Sequence, residues 1–251
     1  QIFIHQIIVA AFSYERGDYG NKAMVATGFP QDLTEDFDMS AAVNPQKPTS
    51  GRGMTSLVSF LGRANYNLMN KYLFTASFRR DGSSKFAPGN KWSNFASGAI
   101  AWRASEEQFI KDLNVFSNLK FRASYGQTGN QAIGAYATRD YLTVANYPIN
   151  GALASGFANL TWRGPANPDL KWETTSQYNV GVDMGFFQNR INLTIDLYYK
   201  KTSDLLQNIQ IPQSTGFSNM TTNFGNVTNK GLEITGKFYA ITGKNLNWDF
   251  D

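Results

Sequence analysis

The chain has no cysteine, a single histidine among 251 residues, and only 17% charged residues, below the roughly 25% of an ordinary soluble domain. Without cysteine there is no disulfide framework and no thiolate metal site. One histidine, His5, builds neither a His-based triad nor a multi-histidine metal centre; within an alternating stretch it reads as structural or interfacial. Long apolar runs are missing as well. The most apolar stretch, 2–12, is interrupted by His5 and Gln6, so nothing approaches the roughly 18 residues of a membrane-spanning helix. The net charge is +4, but the 23 basic residues are scattered, which gives nucleic-acid binding little support.

What is present is aromatic. Phe, Trp and Tyr make up 14% of a chain whose mean hydropathy is still negative, -0.36. That pairing fits strands with one apolar and one polar face, and period-two alternation recurs along the chain. Over 57–68, Val58, Phe60, Gly62, Ala64, Tyr66 and Leu68 alternate with Leu57, Ser59, Leu61, Arg63, Asn65 and Asn67. After a tight turn at Asn70-Lys71, Tyr72, Phe74, Ala76 and Phe78 alternate with Leu73, Thr75, Ser77, Arg79 and Asp81, which completes a hairpin. Further strands are expected over about 92–103, over 119–125 with Lys120 and Arg122 on the polar face, and over 177–186 with Asp183 there. The pattern continues over 191–200 with Asp196, over 232–238 with Glu233 and Lys237, and from about Trp248.

Any antiparallel sheet with one wet face alternates, so the choice of solvent rests on three other features. The strands run roughly ten to thirteen residues, where globular strands average about 5 to 6 and tilted membrane strands need about 9 to 11. Connections alternate between long or medium (15–53, 82–91, 127–170, 201–229) and short (69–71, 104–116, 187–190, 241–246), the layout of outer loops and periplasmic turns. Aromatics gather at strand ends: Tyr66 and Tyr72 at one turn, Phe186 and Phe187 at another, with Trp92, Trp102, Tyr125, Trp172 and Trp248 elsewhere, where a membrane interface would lie. The expected fold is all-β: about nine strands of a large antiparallel transmembrane β-barrel. With no signal peptide, a strand-like start at Gln1 and another at Asp251, residues 1–251 read as a fragment of a single barrel domain.

Five segments in order carry a resemblance: RRDGSSKF (79–86), LKFRASYGQTGNQ (119–131), NPDLKWETT (167–175), DLYYKKTSDLL (196–206) and GNVTNKGLEI (225–234). Together they resemble the C-terminal barrel of SusC/RagA-type TonB-linked outer-membrane transporters; 1–53 matches less clearly. The resemblance implies a barrel of about 22 strands with a plug domain inside it, a segment engaging TonB, and a SusD-like surface lipoprotein over the mouth. Plug, TonB-binding segment and signal peptide lie outside this chain. The implied function is TonB-driven import of an oligosaccharide or oligopeptide across the outer membrane; a passive porin and a non-transporting adhesin barrel are the alternatives.

Enzyme chemistry finds no support. The acidic cluster Asp32, Glu35, Asp36 and Asp38 lacks the glycine and closing glutamate of an EF-hand and reads as a solvated loop rather than a calcium site. Gly126 and Gly129 are followed by no lysine and read as a strand-to-loop turn. Glu106 and Glu107 precede a short helical piece over 109–113 and have no pocket, and no cofactor or metal is expected. Arg63, Arg79, Asp81, Lys120, Arg122, Asp183, Asp196, Glu233 and Lys237 fall on the lumen-facing side, to hold the plug through ion pairs or to line a substrate path. The 127–170 loop carries Tyr136, Tyr141, Tyr147, Phe157 and Trp162, rings suited to sugars or peptides, to the lipoprotein cap, or equally to packing within the loop.

Overall fold

The computed structural model describes residues 4–30, 38–150, 152–159, 164–242 and 247–250. In chain order its elements are β1 (Ile4–Ala23), β2 (Ala26–Thr27), β3 (Asn44–Pro45), β4 (Thr49–Leu68), β5 (Tyr72–Ser83), β6 (Trp92–Arg103), α1 (Gln108–Lys111), β7 (Phe116–Asn130), β8 (Leu142–Ile149), β9 (Ala152–Asn159), β10 (Glu173–Phe186), β11 (Ile191–Ser203), β12 (Leu206–Gln210), β13 (Asn219–Asn223), β14 (Asn226–Thr242) and β15 (Asn247–Phe250). Nine of these strands make one sheet in the order β1-β4-β5-β6-β7-β10-β11-β14-β15, with every neighbour antiparallel. The sheet is an up-and-down meander. The pairs β2/β3, β8/β9 and β12/β13 are small hairpins within the three longest connections, all at one rim.

At the other rim the chain reverses tightly where the residues permit. Met69 and Asn70 both take positive φ (53° and 56°), and Lys71 N closes the turn on Leu68 O at 3.0 Å, the primed geometry that matches strand twist. Over 104–115 the connection is longer than the one over 84–91 at the opposite rim, so the expected strict alternation of loop length fails there. It holds a 3-10 turn (Ala104–Glu106) and then α1, which accounts for the helical piece expected after Glu106 and Glu107.

Two expectations are corrected. The supposed long loop over 15–53 is strand at both ends: β1 and β4 pair along twenty residues each, and the connection between them shrinks to 24–48. Twenty residues at about 3.3 Å each far exceed the 9 to 11 that cross a bilayer, so this hairpin stands well clear of the sheet's other strands. Trp172 is not an interfacial ring but 6% exposed in a small core with Phe86, Phe95, Ile133 and Leu170. That core sits at the long-loop rim, where Phe86 and Phe95 pack 5.3 and 5.7 Å from the Trp172 ring and Trp172 Nε1 donates to Lys91 O at 3.0 Å. The segment before it is stitched to β13: Asn167 Nδ2 donates to Thr221 O (2.9 Å), Lys171 N donates to Asn223 Oδ1 (2.9 Å), and Asn223 Nδ2 returns to Lys171 O (2.9 Å). Leu206 packs against the same core, so three of the recognisable motifs, around 79–86, 167–175 and 196–206, meet at this rim.

Candidate functional site

Pairing register decides which side chains share a face, because laterally paired residues project the same way. One face of the sheet carries Ile8, Phe74, Ile100, Val180, Leu197, Leu232 and Ile234, all more than 40% exposed. A single-layer sheet that leaves such a surface uncovered is not a soluble domain. The aromatics on this face form lateral rows, with Tyr125, Tyr178 and Tyr199 linked at 4.7 and 6.4 Å, and Phe116 and Phe186 at 5.3 Å. On β10 the rows at Tyr178 and Phe186 are about 27 Å apart along the strand and about 20 Å apart along the normal of a barrel tilted by about 40°, close to the height of an apolar membrane band.

Every charged residue expected on the polar face lies on the opposite side, and register joins several of them. Arg122 on β7, Gly181 on β10, Asp196 on β11 and Glu233 on β14 form one lateral row; Lys120, Asp183, Thr194 and Thr235 form the next. Arg122 grips Asp183 bidentately, Nε to Oδ2 at 3.0 Å and Nη2 to Oδ1 at 3.1 Å, and Nη2 also donates to Asp196 Oδ2 at 2.9 Å. Thr194 Oγ1 donates to Asp183 Oδ1 at 3.2 Å, and Lys120 Nζ stands 4.0 Å from Asp183 Oδ2. Reaching Asp196 means crossing an entire strand. Gly181 permits it: a Cβ there would stand 2.3 Å from Asp196 Oδ1 and 2.9 Å from Arg122 Nη2.

The other polar-face residues are dispersed. Arg79 Nε donates to Asp81 Oδ1 at 2.7 Å and Nη2 to Ser59 Oγ at 3.2 Å, with Asp81 buried, while among the described residues Arg63 Nε reaches only the nearby Asn65 Oδ1 at 3.4 Å. Lys237 lies 5.4 Å over the Tyr239 ring, and Glu233 is exposed. Sequence reading missed Gly181, Thr194 and the hub at Glu107. Glu107 ties three elements at the short-turn rim: Lys71 Nζ donates to Oε2 at 2.6 Å, and Tyr72 OH and Trp102 Nε1 donate to Oε1 at 2.9 and 3.4 Å. These bonds, that from Lys71 first, hold the Glu107 carboxyl below the usual carboxylate range and raise Lys71 in turn.

The loop aromatics do not converge on one patch. Tyr136, at φ 61°, accepts from Met54 N at 3.3 Å and carries Arg139 over its ring at 5.8 Å, and Tyr141 OH donates to Ala135 O at 3.4 Å. Both serve loop packing in this way. Tyr147 and Phe157 belong to the β8/β9 hairpin, where only their backbone is described; Trp162 lies outside the described residues. So do Asp32, Glu35 and Asp36 of the acidic cluster, and Asp38 caps a 3-10 turn through Ser40 N at 3.0 Å.

The TonB dependent receptor-like β-barrel family matches residues 7–251. The chain belongs to this family. It is 37% identical over 217 residues to the TonB-dependent receptor P3 of Formosa agariphila, spanning 84% of this chain and 21% of that protein. Against the TonB-dependent receptor SusC of Bacteroides thetaiotaomicron it is 42% identical over 172 residues, 66% of this chain and 17% of SusC. The chain thus spans about a fifth of the curated relatives it matches. Among solved structures, the RagAB peptide transporter superposes with a TM-score of 0.79 at 28% identity, covering 96% of this chain and 26% of that one. The siderophore receptor PirA of Pseudomonas aeruginosa, at 14% identity and a TM-score of 0.51, shares the fold alone. A TonB-dependent receptor barrel resides in the outer membrane and is not an enzyme, which makes this sheet a piece of barrel wall and its apolar face the one toward lipid.

Proposed function

We propose that the protein containing this chain imports an oligosaccharide or an oligopeptide across the outer membrane, powered through TonB and assisted by a SusD-like surface lipoprotein. The observation that carries this reading is the fit of nearly the whole chain onto the barrel wall of the RagAB peptide transporter, with SusC among the sequence relatives. The welded rim of long loops then faces the cell exterior and the tight turns face the periplasm. Arg63, Arg79, Asp81, Lys120, Arg122, Asp183, Asp196, Glu233 and Lys237 face the lumen. Within that set the roles divide. Arg122, Asp183 and Asp196 bond to one another, with Asp196 Oδ1 left without a partner among the described residues, and act mainly as cross-strand ties of the wall, whereas Arg63 and exposed Glu233 would meet the plug or passing substrate. Of the loop aromatics, Tyr147, Phe157 and Trp162 remain the candidates for touching substrate or lipoprotein, since Tyr136 and Tyr141 are engaged in loop packing.

The test is uptake by cells expressing the full-length protein, using fluorescent oligopeptides and oligosaccharides with and without a protonophore. Accumulation of one class that collapses with the protonophore and in a strain lacking TonB supports the reading. Uptake indifferent to both identifies a passive porin, and surface binding without accumulation identifies an adhesin.

A further inference from the structure

On the lipid-facing side the sheet is not uniformly studded. Ala64, Ala76 and Gly98 occupy one lateral row on β4, β5 and β6, and with Ala123 they floor an apolar groove of about 620 Å³ walled by Phe74 and Tyr125. Along β6 the floor continues toward the long-loop rim through Ala96 to Asn94, with no large side chain between Ile100 and Trp92 on that face. Packing within the chain does not demand this emptiness. A Cβ on Gly98 would approach nothing closer than Thr75 O at 3.8 Å, and one on Gly62, in the next row, meets nothing within 4 Å.

At the upper end of the groove stands a cation. Arg80 pairs laterally with Asn94, four residues and about 13 Å along β6 from Gly98, and its guanidinium lies 5.3 Å over the Trp92 ring. The ring lies across β5 because residue 82 is glycine, where a Cβ would be 2.7 Å from it, and Phe60 stacks on it at 6.2 Å. Arg80 has no carboxylate partner among the described residues. The lipid-facing positions of β4, β5, β6 and β7 hold Arg52 and Arg80 and not one Asp or Glu.

We propose that this face holds one anionic membrane lipid, a headgroup phosphate on Arg80 and an acyl chain in the groove along β6. An exposed guanidinium held over an indole, with no carboxylate partner among the described residues, suits a phosphate. A floor of small side chains between aromatic walls suits a single hydrocarbon chain. A second copy of the same face would bring arginine and no acid to the contact. The assignment rests on membrane residence alone and not on which substrate is imported.

Native mass spectrometry of the full-length protein, delipidated in detergent and titrated with phosphatidylglycerol or with phosphatidylcholine of the same chains, tests it. Wild-type protein should retain phosphatidylglycerol at least several-fold better. Arg80→Gln should erase that preference while keeping residual binding of both lipids, and Gly98→Leu should weaken both lipids several-fold with heat-modifiable migration intact. Ala76→Leu, filling the same groove from the adjacent strand, repeats the groove test independently of the glycine. Equal retention of the two lipids by wild type, a preference that survives Arg80→Gln, or groove variants that bind as wild type would overturn the site. So would a wild-type dimer that the groove variants lose with lipid retention unchanged, since a second copy would then be the occupant.

Discussion

Gly181 shows how one missing side chain lets a charge act across two strands. Arg122 extends over the glycine to Asp196, so its three hydrogen bonds to carboxylates tie β7, β10 and β11 together on the polar face. Gly181→Ala would push the guanidinium off Asp196 and leave a half-buried carboxylate short of its partner. The expected loss is about 1 to 3 kcal/mol, between the values for exposed and for buried ion pairs. Gly62→Ala, where a Cβ meets open space, is expected within about 0.5 kcal/mol of wild type. Urea titration of the full-length protein in bilayers compares the two; equal losses would mean that Gly181 matters for strand flexibility and not for the bridge. Alternation along each strand was enough to place Arg122, Asp183 and Asp196 on one face. Their pairing was not legible, because the lateral register depends on how many residues each connection consumes, and no single strand records that.

Glu107, also at the residue scale, has a pH signature. Its carboxyl titrates below its unfolded value because Lys71 first, then Tyr72, donate to it. Stability from a depressed carboxylate is complete above the unfolded pKa and disappears as pH falls through the folded one. The raised lysine contributes throughout the range below its own unfolded pKa, so the acid limb is set by Glu107. Glu107→Gln should therefore be less stable than wild type from about pH 5 upward, with the gap closing as pH falls through the depressed folded pKa. A gap that persists undiminished in acid would assign the effect to packing instead of charge.

Single elements were readable from sequence wherever their two faces meet different surroundings. From Tyr72 to Asp81 the apolar and polar sets separate except for Leu73 and Arg80, and the register shows the two faces: Phe74 lies between Tyr66 and Ile100 and is 44% exposed, whereas Thr75 Oγ1 donates to Asn65 Oδ1 at 3.0 Å. The outer halves of β1 and β4, with sequences such as YERGDYGNKA and TSGRGMTS, are polar on both faces and looked like loop. Their strand structure comes from pairing with each other, which leaves no periodic signature in either alone. Trp172 was misplaced for a related reason, since an aromatic just before a strand has the same local pattern whether it meets lipid or a cap of loops. For β5 the consequence is a contrast between neighbours. Phe74→Arg puts a cation against hydrocarbon at a cost of about 2 to 4 kcal/mol near the midplane, while Thr75→Arg projects into a hydrated, hydrogen-bonding face and costs much less. Heat-modifiable band shift or urea titration of the full-length variants measures the difference, and a larger loss from Thr75→Arg would invert the faces of the whole sheet.

At the scale of the whole molecule, the nine-stranded sheet has two edges that do not meet. Among the described residues, β1 is bonded only through β4, and β15 only through β14. In water such edges invite strand addition; in lipid each unpaired backbone group costs several kcal/mol, because nothing in hydrocarbon replaces the lost partner. The alternate amides and carbonyls along the membrane portion of β1 would together exceed the net stability of an ordinary domain many times over. Curling the sheet onto itself offers no escape, since strand number, tilt and stagger are linked and the relatives bearing this wall are several times longer than this chain. Residues 1–251 alone should therefore fail to give a heat-resistant monomer in detergent micelles. The β1 amides should exchange freely in the isolated chain, whereas in the full-length protein they should be protected as strongly as those of β5. Hydrogen exchange on both, read alongside gel migration with and without boiling, decides the matter. A compact, heat-modifiable, fully protected monomer from the isolated chain would mean that nine strands close on their own, and the wall would then be a small barrel and not a sector of a large one.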